Sequence, residues 1–204
     1  MAGDAILTRA DIVWGLERIR EGLADGGVRG TLKIIGGCAM ILGGHADRDA
    51  TVDIDAVVLI PHDMITRIST EVARERGWPP NWLNLEAQGL YPAYAGHPLW
   101  NVDADLSDEA LTVELATKEA LLAMKLNASR AGRDDADIRA LMSACGVETV
   151  AQADDHFSEF FRGESLPDKA VFLLRALGYS DGDSSLYRSV PDEDPVSVRL
   201  RRPR

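Results

Sequence analysis

The sequence has little that is basic and nothing long that is apolar. Among its 204 residues, 22 lysines and arginines stand against 33 aspartates and glutamates, a net charge of −11. That balance argues against a generic nucleic-acid binder, whose surface must meet phosphates. Lysine is scarce: Lys33, Lys118, Lys125 and Lys169 are all there are. The bias toward arginine is of a kind that is usually genomic, but it makes each lysine worth inspecting. No apolar run approaches the roughly 18 residues that a bilayer span needs. The opening "MAGDAILTRADIVW" has an acid where a secretory leader has bases, and no long apolar centre. We therefore expect a cytoplasmic protein with no membrane partner. The two cysteines, Cys38 and Cys145, lie far apart without metal-ligand spacing. Both are expected to be buried thiols.

What is present reads as a globular chain. A hydrophobic fraction of 46% is ordinary, and the length fits one domain or one domain with a helical lobe. Residues 8–25 predict an amphipathic helix, capped by Thr8 with Asp11 completing a capping box. Ile12, Leu16, Ile19 and Leu23 repeat along it at helical spacing. "TLKII" (31–35) predicts a strand, and "GGCAMILGG" (36–44) a turn into a helix. "TVDIDAVVLI" (51–60) predicts a second strand. "PHDMITRISTEVARERG" (61–77) predicts a helix with Pro at its start and Gly past its end. A short helix is expected from near Asn81. "ALTVELA" (110–116) predicts a third strand, and helices are expected over 117–130, 133–146 and the rest of the C-terminal half. The fold class is thus α+β: a small sheet flanked by helices, with a helical C-terminal lobe. The expected divisions are a core over 1–116, the lobe over 117–178 and a tail over 179–204. That tail is rich in Ser, Asp, Pro and Arg and is expected to be disordered. It holds five acids and five arginines, so the body carries the net charge of −11.

The informative stretch is "RDATVDIDAVVLI" (48–60). Residues two apart in a strand point to one face, so Asp53 and Asp55 project together. Like charges this close repel unless a cation shares them. Mg²⁺ prefers carboxylate oxygens and leaves positions open for substrate phosphate. The competing reading is a strand with one face in water. Against it, "AVVLI" follows without polar alternation, as in a strand buried on both faces. Gly36 and Gly37 lie where bare backbone N–H groups can hold a phosphate; alone, they are equally a plain tight turn.

Joined together, these residues carry a resemblance. The pattern of Gly36-Gly37 followed by Arg48, Thr51, Asp53 and Asp55 resembles the DNA polymerase β-type nucleotidyltransferases. There a glycine turn holds the nucleotide phosphates and the next strand carries Asp-x-Asp for the metals. The segment "ATKEALLAMKLNASRAGRDDADIRAL" resembles a second region of the AbiEii/MenT-type toxin nucleotidyltransferases. On that resemblance Lys125 contacts the triphosphate, Arg130 or Arg133 is the arginine that follows it, and Asp134 with Asp137 supports the lysine or the metal site. The two regions span about residues 34–142.

The resemblance implies an NTP-dependent, pyrophosphate-releasing enzyme with two Mg²⁺ ions at Asp53 and Asp55. It implies a toxin of a toxin–antitoxin pair acting on tRNA or protein, with a cognate antitoxin. Small-molecule acceptors of the antibiotic type, or a degenerate fold that only binds, remain alternatives. A third carboxylate is needed on the next central strand. Glu114 is the best-placed acid, with Asp103 and Asp105 as rivals. Read from the residues alone, Lys125 is either snorkelling from an apolar helix or an anion contact. Asp134 and Asp137 are either an N-cap and a first-turn acid or the lysine's partners. Arg48, in the loop "GGHADRDA", is either a triphosphate contact or a solvated side chain. The four histidines form no motif.

Overall fold

The computed structural model describes residues 6–45, 49–85, 91–92 and 97–182. Arg48 and residues 183–204 lie outside the described residues. The chain begins with β1 (Leu7–Thr8) and α1 (Arg9–Asp25). The Thr8 side chain accepts from Asp11 N–H and the Asp11 carboxylate returns to Thr8, the expected capping box. Next come β2 (Gly30–Ile34), α2 (Gly36–Leu42), β3 (Ala50–Thr51) and β4 (Ile54–Leu59). Then follow α3 (His62–Arg76), β5 (Leu83–Asn84), β6 (Trp100–Val102) and β7 (Leu111–Ala116). The last elements are α4 (Lys118–Ala128), α5 (Asp135–Cys145), α6 (Val150–Phe160) and α7 (Asp168–Ala176). Among the described residues no helix is long and apolar enough to cross a membrane.

Five strands form the sheet in the order β5-β4-β2-β7-β6. β2 runs antiparallel to β4 and parallel to β7. β5 lies parallel to β4 and β6 antiparallel to β7. β1 and β3 make a separate two-stranded ribbon. One face of the sheet is the core: Leu32, Ile34, Ile54, Ala56, Leu111 and Val113 are fully buried on it. α2 packs on β4 and β7, α1 packs on α3, and α4 gathers α5, α6 and α7 beside it. The result is the expected α+β class, with helices flanking a small sheet and a helical C-terminal half.

Three local expectations change. No helix starts at Asn81. Trp82 is instead fully buried, its indole N–H donates to Ser69 O at 3.0 Å, and its carbonyl accepts from Ile54 N at 2.7 Å. That anchor draws Leu83 and Asn84 alongside β4 as a fifth strand. β4 is not buried on both faces to its end: Val58 is half-buried and Leu59 is 58% exposed. Cys38 is buried as expected, but Cys145 is only half-buried.

Residues 179–182, assigned to the tail by composition, run against α6. Val150 N–H donates to Ser180 O at 2.9 Å and Ala151 N–H to Asp181 O at 3.0 Å.

Candidate active site

The site lies where β2 and β4 end side by side. Ile35 N–H donates to Asp55 O at 2.9 Å, which holds the glycine turn against the start of β4. Gly36 has φ of +63°, and a Cβ there would stand 2.7 Å from Asp55 Oδ2. Only glycine fits both the left-handed backbone and that close approach. The Asp55 carboxylate is also oriented from the other side, by Asn84 Nδ2 donating to its Oδ1 at 2.7 Å. The β4–β5 register sets Asn84 directly beside Asp55. Asp53 immediately precedes β4 and faces the same cleft as Asp55.

That cleft has a volume of about 470 Å³. Gly36, Gly37 and Thr51 form part of its wall, with Asp53 and Asp55. Lys125, Arg130, Arg133 and Asp134 line it from the helical half. The structure therefore brings both sequence regions to one place. Beneath the two aspartates, burial first and then the charges of Asp55 and Asp53 push the Cys38 thiol far above its ordinary range. It is an inert core group.

Lys125 does not snorkel. Its ammonium lies 2.8 Å from Asp134 Oδ1 and 2.7 Å from Asp137 Oδ2, and all three side chains are nearly or fully buried. Asp134 occupies the N-cap position of α5, yet its side chain makes no capping bond. It accepts instead from Arg130 Nε at 2.8 Å and Nη2 at 3.1 Å. Burial alone would raise the Asp134 pKa, but the hydrogen bonds from Arg130 and Lys125 and the lysine charge hold it at about 2. Arg130 is stabilised as a cation chiefly by its hydrogen bond to Asp134, and also by the charges of Asp134, Asp55 and Asp137. Its side chain remains 49% exposed. A buried lysine thus fixes two acids, and one of those acids presents an open guanidinium to the cleft.

Glu114 is not brought to the pair. The parallel register puts Glu114 beside Lys33 and Leu115 beside Ile34, while Ile34 also faces Ala56. Extending that register by one residue sets Ala116, not Glu114, at the level of Asp55. Glu114 shares the face, but β2 lies between its strand and β4, and it is also offset by two residues, about 6.6 Å along the strand direction. Its carboxylate is paired to Lys33 at 2.7 Å, and Lys33 in turn lies over the Trp100 ring. Asp103 is committed elsewhere too, accepting from Asp105 N and Leu106 N in the turn after β6. Among the described residues no third Asp, Glu, His or Cys joins Asp53 and Asp55 in a metal-binding cluster.

Asn84 is the site residue that sequence reasoning missed. Its only signal is position, and its strand is two residues long.

No protein-family model and no curated protein matches the chain. Among solved structures it is similar to an antigenic nucleotidyltransferase-like protein from Paracoccidioides brasiliensis. That match has 15% identity and a TM-score of 0.48 over 91% of this chain and 100% of the other. A likeness this distant decides neither activity nor substrate.

Proposed function

We propose that this protein is a metal-dependent nucleotidyltransferase that moves a nucleoside monophosphate from an NTP to an acceptor and releases pyrophosphate. The observation that carries the reading is the convergence in one cleft of Asp53 and Asp55 with Arg130 and Arg133. Two carboxylates are hard oxygen donors, and Mg²⁺ is commonly held by one or two of them plus substrate phosphates. The Asp53–Asp55 pair suits one such ion. The two-ion arrangement implied by the resemblance needs a third carboxylate, and the described residues do not supply it at the pair.

A bound Mg²⁺ would supply charge neutralisation and polarisation at the α-phosphate. The protein's own groups do the rest. Asn84 fixes the Asp55 rotamer through its hydrogen bond. Gly36 and Gly37 let phosphate oxygens approach the backbone closely. Arg130 and Arg133 meet the β- and γ-phosphates and offset the charge that develops on the leaving pyrophosphate. Lys125 acts one step back, by holding Asp134 where it orients Arg130. The acceptor hydroxyl oxygen forms its bond to the α-phosphorus as the bond to the α–β bridging oxygen breaks; pyrophosphate leaves with that electron pair and the hydroxyl proton passes to solvent.

The toxin role rests on the resemblance of the Lys125–Asp137 segment, with tRNA or a protein hydroxyl as acceptor. The acidic body favours protein over RNA. The test is transfer of label from each NTP, α-³²P-labelled, to total tRNA and total protein with Mg²⁺. Label should appear with wild type and vanish with Asp53→Ala and Asp55→Ala, both checked for folding by circular dichroism. Wild-type transfer by either variant overturns the reading. The pairing of Glu114 with Lys33 favours a second reading, a nucleotide-binding module without transfer. That reading predicts Mg²⁺-dependent NTP binding and no labelled product.

A further inference from the structure

The cleft has two arms that meet at Gly36, Asp53 and Asp55. One arm passes Gly37, Thr51 and Val52. The other, about 350 Å³, runs along α4, and both reach Lys125, Arg130 and Arg133. The second arm differs in chemistry from the charged junction. Its floor is Ile35, Leu121 and Met124, each exposed by 9% or less. Besides the charged residues, its polar side chains are the carboxamides of Asn84, beside the junction, and Asn127, further along α4. Asn84 is already committed to Asp55. Asn127, half-buried near the end of α4, makes no side-chain hydrogen bond among the described residues.

An apolar floor with a donor–acceptor group at its rim suits a flat ring that has apolar faces and a hydrogen-bonding edge. A nucleobase is such a ring, and an asparagine can meet a base edge with one donor and one acceptor. The arm also opens from the junction at which phosphates would be held. We infer that the α4 arm is the nucleobase subsite, with Asn127 as the residue that sets base preference. This assignment rests on the nucleotidyltransferase reading. Each common base presents an adjacent donor and acceptor, but at different depths. Asn127 therefore selects among bases rather than merely admitting one. The arm beside Thr51 and Val52 is left for the acceptor.

The test is calorimetric titration of the full chain with MgATP, MgGTP, MgCTP, MgUTP and magnesium tripolyphosphate. One NTP should bind about tenfold or more tighter than the weakest, as one or two hydrogen bonds allow. Asn127→Leu keeps the volume and removes the hydrogen bonds. It should shrink that spread to about threefold or less and change tripolyphosphate affinity by no more than about twofold. Asn127→Gln keeps the carboxamide and should retain more preference than leucine does. It also serves if the leucine variant melts early. Equal affinities of wild type for all four NTPs and for tripolyphosphate overturn the subsite and leave the phosphate site standing. An undiminished spread in Asn127→Leu does the same. Failure of every ligand to bind, tripolyphosphate included, overturns the nucleotide reading and the subsite with it.

Discussion

Asp134 is a fully buried carboxylate, held by Lys125 and by the Arg130 side chain and backbone N–H. Its pKa is lowered from 3.8 to about 2 in the fold. A depressed acid contributes stability above its unfolded pKa and loses it as pH falls through the folded one. The contribution is therefore whole above about pH 5 and gone below about pH 2. A shift of this size corresponds to about 2 kcal/mol. The gap in unfolding free energy between wild type and Asp134→Asn should narrow by about that amount as urea melts are moved from pH 5 to pH 2. A constant gap would mean that Asp134 is not held by these cations. The sequence carried half of this cluster. Lys125 amid apolar neighbours, with acids nine and twelve residues later, allowed either a surface lysine or a paired one. What decided it was the burial of both acids, and burial of a charge is a tertiary fact that spacing does not record.

At the scale of elements, periodicity served wherever a helix had a full apolar stripe. α1, α3, α4 and α5 fall within two residues or so of the expected bounds, because caps such as Thr8 and Thr117 mark their starts. The three longer strands were also legible. The short ones were not: β1, β3, β5 and β6 are two or three residues each, too brief for alternation to register. That failure hid Asn84. Glu114 was misplaced for a different reason: which strands neighbour each other, and in what register, is a tertiary fact, and the structure sets β2 between β7 and β4 and Glu114 two residues out of line with Asp55. Composition misjudged residues 179–182 for a related reason. Polar residues whose backbone supplies the contacts look like tail. Ser180 and Asp181 offer carbonyls to the first N–H groups of α6, which have no partner within the helix. A chain ending after Tyr179 should therefore be less stable than one ending after Gly182, by about 1–2 kcal/mol. In a chain of this length that is a fall of roughly 2–8 °C in Tm, read by calorimetry on the two truncations side by side. Equal Tm values would show that those carbonyls add nothing to α6.

At the scale of the molecule, an acidic protein is being asked to bind a polyanion. The net charge is −11, and the cleft sets Asp53, Asp55 and Asp134 against Lys125, Arg130 and Arg133. Two of those cations, Lys125 and Arg130, are already paired with Asp134. A triphosphate entering alone would therefore meet the carboxylates of Asp53 and Asp55 at close range. A divalent cation on that pair reverses the local sign, so nucleotide and metal should bind with positive coupling. With Mg²⁺ present, an NTP at a hundred times its Kd should stabilise the fold by about 2.7 kcal/mol, a rise in Tm of roughly 5–10 °C. With EDTA in place of Mg²⁺ the same NTP concentration should raise Tm by less than about 1 °C. In Asp55→Asn, which keeps the shape and removes one charge, the Mg²⁺ requirement should weaken. The NTP-only shift should grow and the Mg²⁺ increment should shrink. Equal shifts with and without Mg²⁺ in wild type would show that the nucleotide is recognised without the metal, and that Asp53 and Asp55 share their face for some other purpose.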